Sequence, residues 1–360
     1  MVGELASKAA RMTCVGFDGP ELNSDLEKLL DLGVGGVLLY GTRDEGPEHV
    51  AALIDAIKRH AARPLFVAVD QEGGDFTRLR DGFTPLPPLR ALGNTGSSEL
   101  AARLGRLIGE ELRAVGADVC LGPVLDVDTN PDNPIIGERS LGRDASLVAR
   151  LGTALAKGLQ ASGVAASGKH FPGHGDTSQD SNTSLPCLPH DVTRLESVEL
   201  PPFAAAVEAR LAAIVAAHVI FSPLDRTRPA SLSRPVLYGL LRAKLGYRGV
   251  VLCDDVDMAA VAEHFGPERV ATYGVNASVD CFVCARRPES AYEIVEAIVK
   301  GVESQVVLPE RVEAANRRLT ALLHRYARPA NAAPDLSRVG CSEHRRLVER
   351  ILARGSEPPP

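Results

Sequence analysis

No stretch of this 360-residue sequence approaches the roughly 18 uninterrupted apolar residues that a membrane-spanning helix needs. The segment from Met1 to Asp18 also lacks the apolar core of a secretory signal peptide. Together these absences lead us to expect a cytoplasmic protein with no membrane partner. No run of lysines or arginines interrupts a chain of formal net charge −6, which argues against a nucleic-acid or anionic-membrane surface. A disulfide framework is missing as well. The seven cysteines are odd in number and scattered singly, and Cys14, Cys120, Cys253, Cys281 and Cys284 sit in apolar surroundings, as reduced buried thiols would. Cys281-Phe-Val-Cys284 has redox-motif spacing, but inside an apolar run it reads as two core residues.

What is present is a repeat. An apolar-periodic helix, often closed by glycine, is followed by a short apolar run that ends in a polar residue. Met12–Gly16, Gly36–Tyr40, Leu65–Asp70, Asp118–Gly122, Val164–Gly168, Leu211–Ala217, Gly249–Cys253 and Val279–Val283 are the strand candidates. Helical patterns between them include Glu21–Leu32, Val50–His60, the face of Leu100, Leu104, Leu107, Ile108, Leu112 and Val115, and the series Leu147, Leu151, Leu155 and Leu159. Alternation of this kind implies a parallel sheet, and eight units close into a (β/α)8 barrel, a TIM barrel, although an open doubly wound sheet has a similar local pattern. The expected α/β architecture is one barrel domain over residues 1–328. A Pro/Ala-rich linker and helical tail follow over residues 329–360, with extra C-terminal helices at Pro309–Tyr326 and Glu343–Ala353 and a fraying end at Glu357–Pro360.

The polar residues that close the strands are Asp18, Asp70, Asp126, Lys169 with His170, His218 and Asp254. In a barrel those ends share one mouth, where reactive groups collect. The densest stretch runs from Lys169 to about Pro189. It carries His170, His174, Asp176 and Asp180, and its glycines and Pro172 forbid a continuous helix. Long irregular segments in compact domains are usually functional or disordered. His170 and His174 are four apart, but without helical geometry they make no metalloprotease pattern. A loop zinc site stays open as a lesser reading, because no third and fourth ligand stands at diagnostic spacing. Asp254 ends a wholly apolar strand and is followed by Asp255 and Asp257. It can be a nucleophile, a general acid/base, a metal ligand or a helix N-cap. Asp70-Gln-Glu-Gly-Gly74 lets backbone approach a ligand closely, or is a solvated strand-to-helix turn. Arg78, Arg80 and Arg139 can grip hydroxyls or a carboxylate, or serve as structural ion pairs.

Lys169-His-Phe-Pro-Gly-His-Gly-Asp176, Asp70-Gln-Glu-Gly-Gly74, Ile136-Gly-Glu-Arg-Ser140, Ala217-His218 and Cys253-Asp-Asp-Val-Asp-Met258 together resemble glycoside hydrolase family 3. The type resembled is the single-domain bacterial β-N-acetylglucosaminidase (β-N-acetylhexosaminidase), over roughly residues 12–300. The resemblance implies a (β/α)8 barrel, a retaining two-step mechanism, a small carbohydrate substrate, and no cofactor or metal. Asp254 matches the family nucleophile. Asp70, Arg78, Arg139, Lys169, His170 and His218 match positions that hold the terminal sugar. In this family type a mobile loop carries Asp-x-His as the general acid/base. Here the loop reads Asp180-Ser-Asn182, and an amide cannot deliver a proton near neutral pH. That contribution is typically 10²–10⁴-fold. Asp180 is therefore the leading acid/base candidate, with His174 as another, while the roles of His174, Asp176 and Asn182 stay open. Asp75 stands where the family pattern commonly has Arg, and Ser278 where it commonly has Gly; both are read as further change at the site. The alternatives to hydrolysis are phosphorolysis, transfer or biosynthesis on an activated glycoside, and sugar binding without turnover.

Overall fold

The computed structural model describes residues 2–41, 44–332 and 334–356. The expected fraying segment Glu357–Pro360 lies outside the described residues. Eight parallel strands close on themselves in chain order: β1 (Thr13–Phe17), β2 (Gly36–Leu39), β3 (Phe66–Val69), β4 (Val119–Cys120), β5 (Ala165–Phe171), β6 (Ala213–Ala216), β7 (Val250–Cys253) and β8 (Cys281–Cys284). Each stands at one of the eight expected apolar runs. Every strand residue is buried, which is why these segments are continuously apolar and not alternating.

Seven helices return the chain to the next strand, α1 (Ser24–Leu32), α2 (Pro47–Ala61), α3 (Ser98–Ala114), α4 (Ala145–Ala161), α5 (Leu200–Glu208), α6 (Pro235–Lys244) and α7 (Pro267–Ala277), and α8 (Ser290–Glu303) follows β8. Their starts are chemically marked. Asn23, Ser97 and Asp144 accept backbone N–H groups from Leu26, Leu100 and Leu147 at the N-caps of α1, α3 and α4. Gly33 ends α1 at φ 102°, a left-handed cap that suits glycine.

The lower rim, where strands begin, is locked by two buried carboxylates. Asp118 accepts from Lys58 Nζ, from the Val67 N–H and from the Arg328 N–H. Asp280 pairs with Arg242 and Arg318, both at 2.7 Å, and accepts the Val251 N–H. Two further helices follow, Pro309–Tyr326 and Ser342–Gly355. The second packs on Leu89–Asn94 and on α3, burying His344, Leu347, Val348 and Ile351. No helix among the described residues is long and apolar enough to cross a membrane.

Candidate active site

The upper rim opens into one pocket. Its wall includes Asp70, Glu72, Arg78, Arg139, Lys169, His170, His174, Asn182, Asp254 and Arg286. After Asp70 the chain does not enter a helix: Gln71–Gly73 and Phe76–Thr77 form a small antiparallel hairpin. Gly73 has φ 132°, and a Cβ there would lie 2.1 Å from the Pro87 carbonyl oxygen, so the turn demands glycine.

That hairpin delivers Glu72, only 3% exposed, to the centre of a charge cluster. Its two oxygens accept the Arg139 fork at 2.8 and 2.9 Å, and Lys169 Nζ lies 2.5 Å from Oε1. Lys169 also donates to Asp70 at 2.6 Å. Burial alone would raise the Glu72 carboxyl, but Lys169 and Arg139 outweigh it and hold the group far below the ordinary carboxylate range. The Arg139 guanidinium stands 4.1 Å from the Phe76 ring centroid.

β5 sets the next wall. The Lys169–His170 and Phe171–Pro172 peptide bonds are cis. Asp126, fully buried, gathers the N–H groups of His170 and His174 and sits 2.7 Å from His170 Nδ1. This contact places the ring proton on Nδ1 and leaves His170 Nε2 for the pocket. His174 Nδ1 meets Thr177 Oγ1 at 2.8 Å and Nε2 meets Ser181 Oγ at 3.0 Å. Burial, helped by the neighbouring His170, pushes His174 down to about 4. Gly175 follows because a Cβ there would fall 1.8 Å from the Val127 carbonyl oxygen. Both ring nitrogens of His174 are thus engaged. Among the described residues no group of three or more His, Cys, Asp and Glu side chains is placed to hold a metal ion.

Three aspartates after β7 divide the work. Asp254 faces the pocket and accepts the Asp255 N–H at 2.9 Å. It is no helix cap, since the next helix starts at Ala259 behind Met258. Burial would raise its carboxyl, but His170, His218, the Asp255 N–H and Lys169 prevail and keep it below its ordinary value. Asp255 accepts the Ala285 and Asp257 N–H groups, and burial pushes it up to about 6. Asp257 fixes the turn after β8 by accepting from the Arg286 and Arg287 amides and from Ser290 Oγ.

Several expected positions sit elsewhere. His218 is fully buried behind the Asp254 turn, with Nδ1 2.7 Å from Ser231 Oγ and Nε2 3.0 Å from the Asp255 carbonyl oxygen, so it braces the turn and is absent from the pocket wall. Asp180 is absent from the pocket wall; its Oδ1 takes both the backbone N–H and the Nδ2 of Asn182. Asp176 turns to Thr129 and His190, each at 2.8 Å. Arg78 lines the pocket, and its buried Nε has no partner there. Asp75 is exposed outside the wall. Ser278 is a correction to the expected change at the site: it caps α7 at the opposite rim with φ 94°, its Oγ accepting from Arg242 Nε. Cys281 and Cys284 are wholly buried free thiols pushed well above their ordinary range, which leaves no redox pair. Motif reading passed over Glu72 and Arg286, and gave Asp126 no more than a place at a strand end.

The chain is similar to proteins of known family. The family model of the Glycosyl hydrolase family 3 N terminal domain matches residues 4–322. A Beta-hexosaminidase of Thiobacillus denitrificans is 39% identical over 283 residues, covering 77% of this chain and 78% of that protein. One of Nitrosomonas eutropha is 36% identical over 316 residues, covering 85% and 90%. Among solved structures, the glycoside hydrolase family 3 beta-N-acetylglucosaminidase from Paenibacillus sp. superposes with TM-score 0.91 at 39% identity, covering 98% of this chain and 68% of that one. NagZ from Neisseria gonorrhoeae, in complex with N-trifluoroacetyl-D-glucosamine, gives TM-score 0.78 at 28% identity, covering 96% and 98%.

Proposed function

The chain belongs to glycosyl hydrolase family 3 and is a glycoside hydrolase, and from that membership we propose that it removes a terminal β-linked N-acetylhexosamine by a retaining, two-step route. The observation that carries the reading is Asp254: a partly buried carboxylate kept ionised at the end of β7, in one pocket with the Asp70–Lys169–Glu72–Arg139 cluster.

In the first step an Asp254 oxygen bonds to the anomeric carbon as the bond to the leaving oxygen breaks, and the electron pair goes to that oxygen. In the second step water adds to the same carbon, loses a proton, and Asp254 departs. Asp70, Lys169, Arg139, Arg78 and His170 grip the sugar hydroxyls, and the orphaned Arg78 Nε awaits an acceptor from the substrate. Pairing with Glu72 keeps Lys169 and Arg139 charged and pre-oriented, so the clamp does not reorganise when sugar arrives.

Proton supply shapes the substrate. Asn182 stands on the wall and carries no titratable proton, and His174, pushed down to about 4, is neutral at pH 7. To act as acid/base, Asp180 would have to release Asn182 and enter the pocket. We therefore favour a glycoside whose leaving group departs with little protonation, and transfer to an acceptor such as phosphate is the second reading, favoured by the same Asn182. Simple sugar binding is disfavoured, because an ionised carboxylate partly withdrawn from water is costly to keep without a task.

We further propose that residues 1–328 form the catalytic domain and 329–360 a supporting tail. We place the protein in the cytoplasm, where the buried unpaired thiols of the strands stay reduced. The functional test is release of p-nitrophenol from its β-N-acetylglucosaminide. Wild type releases it and Asp254→Asn does not, while an alkyl β-N-acetylglucosaminide reacts about 10²–10⁴-fold more slowly for want of an acid. Release that survives in D254N overturns the nucleophile assignment.

A further inference from the structure

One contact explains why an amide stands at position 182. Asn182 Oδ1 accepts from Arg286 Nη2 at 2.5 Å, while Asn182 Nδ2 donates to Asp180 Oδ1 at 2.7 Å. Arg286 in turn places Nε 3.2 Å from Asp255 Oδ2, and the Asp255 N–H reaches Asp254 Oδ1. A continuous line of polar contacts therefore runs from the 176–184 loop, over the pocket, to the turn that bears Asp254. We propose that Arg286 is a positioning residue that straps this loop across the pocket through Asn182, and that an amide stands at 182 because the strap needs an acceptor on one side and a donor on the other.

The inference rests on the sugar-pocket reading above, and it deepens that reading by saying what the residue in place of the acid/base does. Arg286 is well held for the task. Its backbone N–H donates to Asp257, whose carboxylate also fixes Arg287 and Ser290, so the guanidinium is aimed from a pinned turn. Its side chain is 37% exposed, so it stands at the mouth and not in the core. While Asp176 anchors the base of the loop on Thr129 and His190, the tip has two lighter tethers beside the strap, Ser181 Oγ against His174 and the Ala260 N–H against the Ser181 carbonyl oxygen. Neither carries a charge at neutral pH; the Arg286–Asn182 contact is the charge-assisted one, and such bonds are roughly twice as strong as neutral ones.

The amide fits where an imidazole would not serve. A protonated ring has only donors, and one of them would meet the Arg286 cation. A neutral ring can satisfy both neighbours, donating to Asp180 and accepting from Arg286, but its lone pair is then spent on the guanidinium. A histidine at this position would thus be held neutral and unable to give up a proton to a leaving group. On this structure the loss of the imidazole and the presence of Arg286 belong together.

Two measurements test the strap without using turnover. The first is amide hydrogen exchange by mass spectrometry on the full chain, with R286A, R286K, N182A and the R286A/N182A double variant. We expect exchange over residues 178–184 to rise about tenfold or more in R286A and N182A, the double variant to add nothing further, and the barrel strands to stay protected. R286K recovers at most part of the protection, because one ammonium lacks the planar fork that meets Asp255 and Asn182 together. The second is NMR titration of N182H. The introduced imidazole titrates at least about one unit below an ordinary histidine while Arg286 is present, and returns to the ordinary range in N182H/R286A. Unchanged loop exchange in R286A, additive effects in the double variant, or an ordinary titration of N182H would each overturn the strap. A protein inactive on every glycoside but passing both tests would overturn the glycosidase reading alone.

Discussion

Glu72 holds two cations at once, Arg139 through both oxygens and Lys169 through one. All three groups are largely withdrawn from water, so removing the shared carboxylate leaves buried positive charge facing Asp70 alone. Breaking a buried pair from one side costs about 3–5 kcal/mol. We expect E72Q to lower the unfolding free energy by about 3 kcal/mol in urea titrations and to raise KM for the aryl glycoside. A loss below about 1 kcal/mol would show that the cluster relaxes and that Glu72 is no keystone. The residue was within reach of sequence reasoning. In a strand-like run Asp70 and Glu72 share a face, and Gln71 points away; its amide indeed holds the Arg78 and Leu79 amides on the far side. Ser278 was not legible in the same way. A departure from a family pattern says nothing about which end of the barrel it stands on, and here it stands at the end away from the sugar.

At the scale of elements the strands were legible because burial on both faces removes every polar interruption. Their polar ends then announced the pocket. The irregular loop after β5 announced itself by composition, yet which of its side chains face inward was hidden, since irregular backbone has no period to read. His174, Ser181 and Asn182 face the pocket, while Asp176 and Asp180 turn outward. Two inward groups make opposite demands on pH. His174 falls from 6.5 to about 4 on folding. Between those values the unfolded chain takes up a proton that the native one refuses, so its share of stability is whole above pH 6.5 and is lost as pH falls towards 4. Asp255 rises from 3.8 to about 6. Its native proton stabilises the fold below pH 4 and is released as pH rises through 6. The two nearly cancel in the wild type. Variants separate them: the stability difference between wild type and H174Q, measured by urea unfolding, shrinks or reverses by about 2–3 kcal/mol between pH 7 and pH 4.5. In D255N the difference moves the other way. A pH-independent difference for H174Q would mean that the ring takes up its proton in the native loop as readily as in the unfolded chain.

Across the whole molecule, the tail is joined to the pocket by one buried carboxylate. Glu111 on α3 accepts the Thr84 N–H and hydroxyl, the Gly340 N–H, and lies 2.9 Å from His344 Nδ1. Thr84 closes the segment that begins with Arg78 at the sugar pocket, and Gly340 packs so tightly on that segment that a Cβ would lie 2.2 Å from the Gly82 carbonyl oxygen. A final helix near residues 343–353 could be read from the sequence. Its attachment could not, because the partners lie 229 residues or more apart and no local pattern links them. Removing Ser342–Gly355 strips the cover from Leu89–Asn94 and α3, exposes apolar surface worth about 1.5–3 kcal/mol for each large buried side chain as an upper figure, and leaves Glu111 without its imidazole. Truncation after Cys341 should therefore lower the unfolding free energy by several kcal/mol. It should also raise KM more than it lowers kcat, because the loosened part is the segment that presents Arg78 and not the turn that bears Asp254. H344A alone should show the same KM bias in milder form. A truncated chain with wild-type KM would mean that the Arg78 segment is held by the barrel alone, and that the tail stabilises the fold without reaching the site.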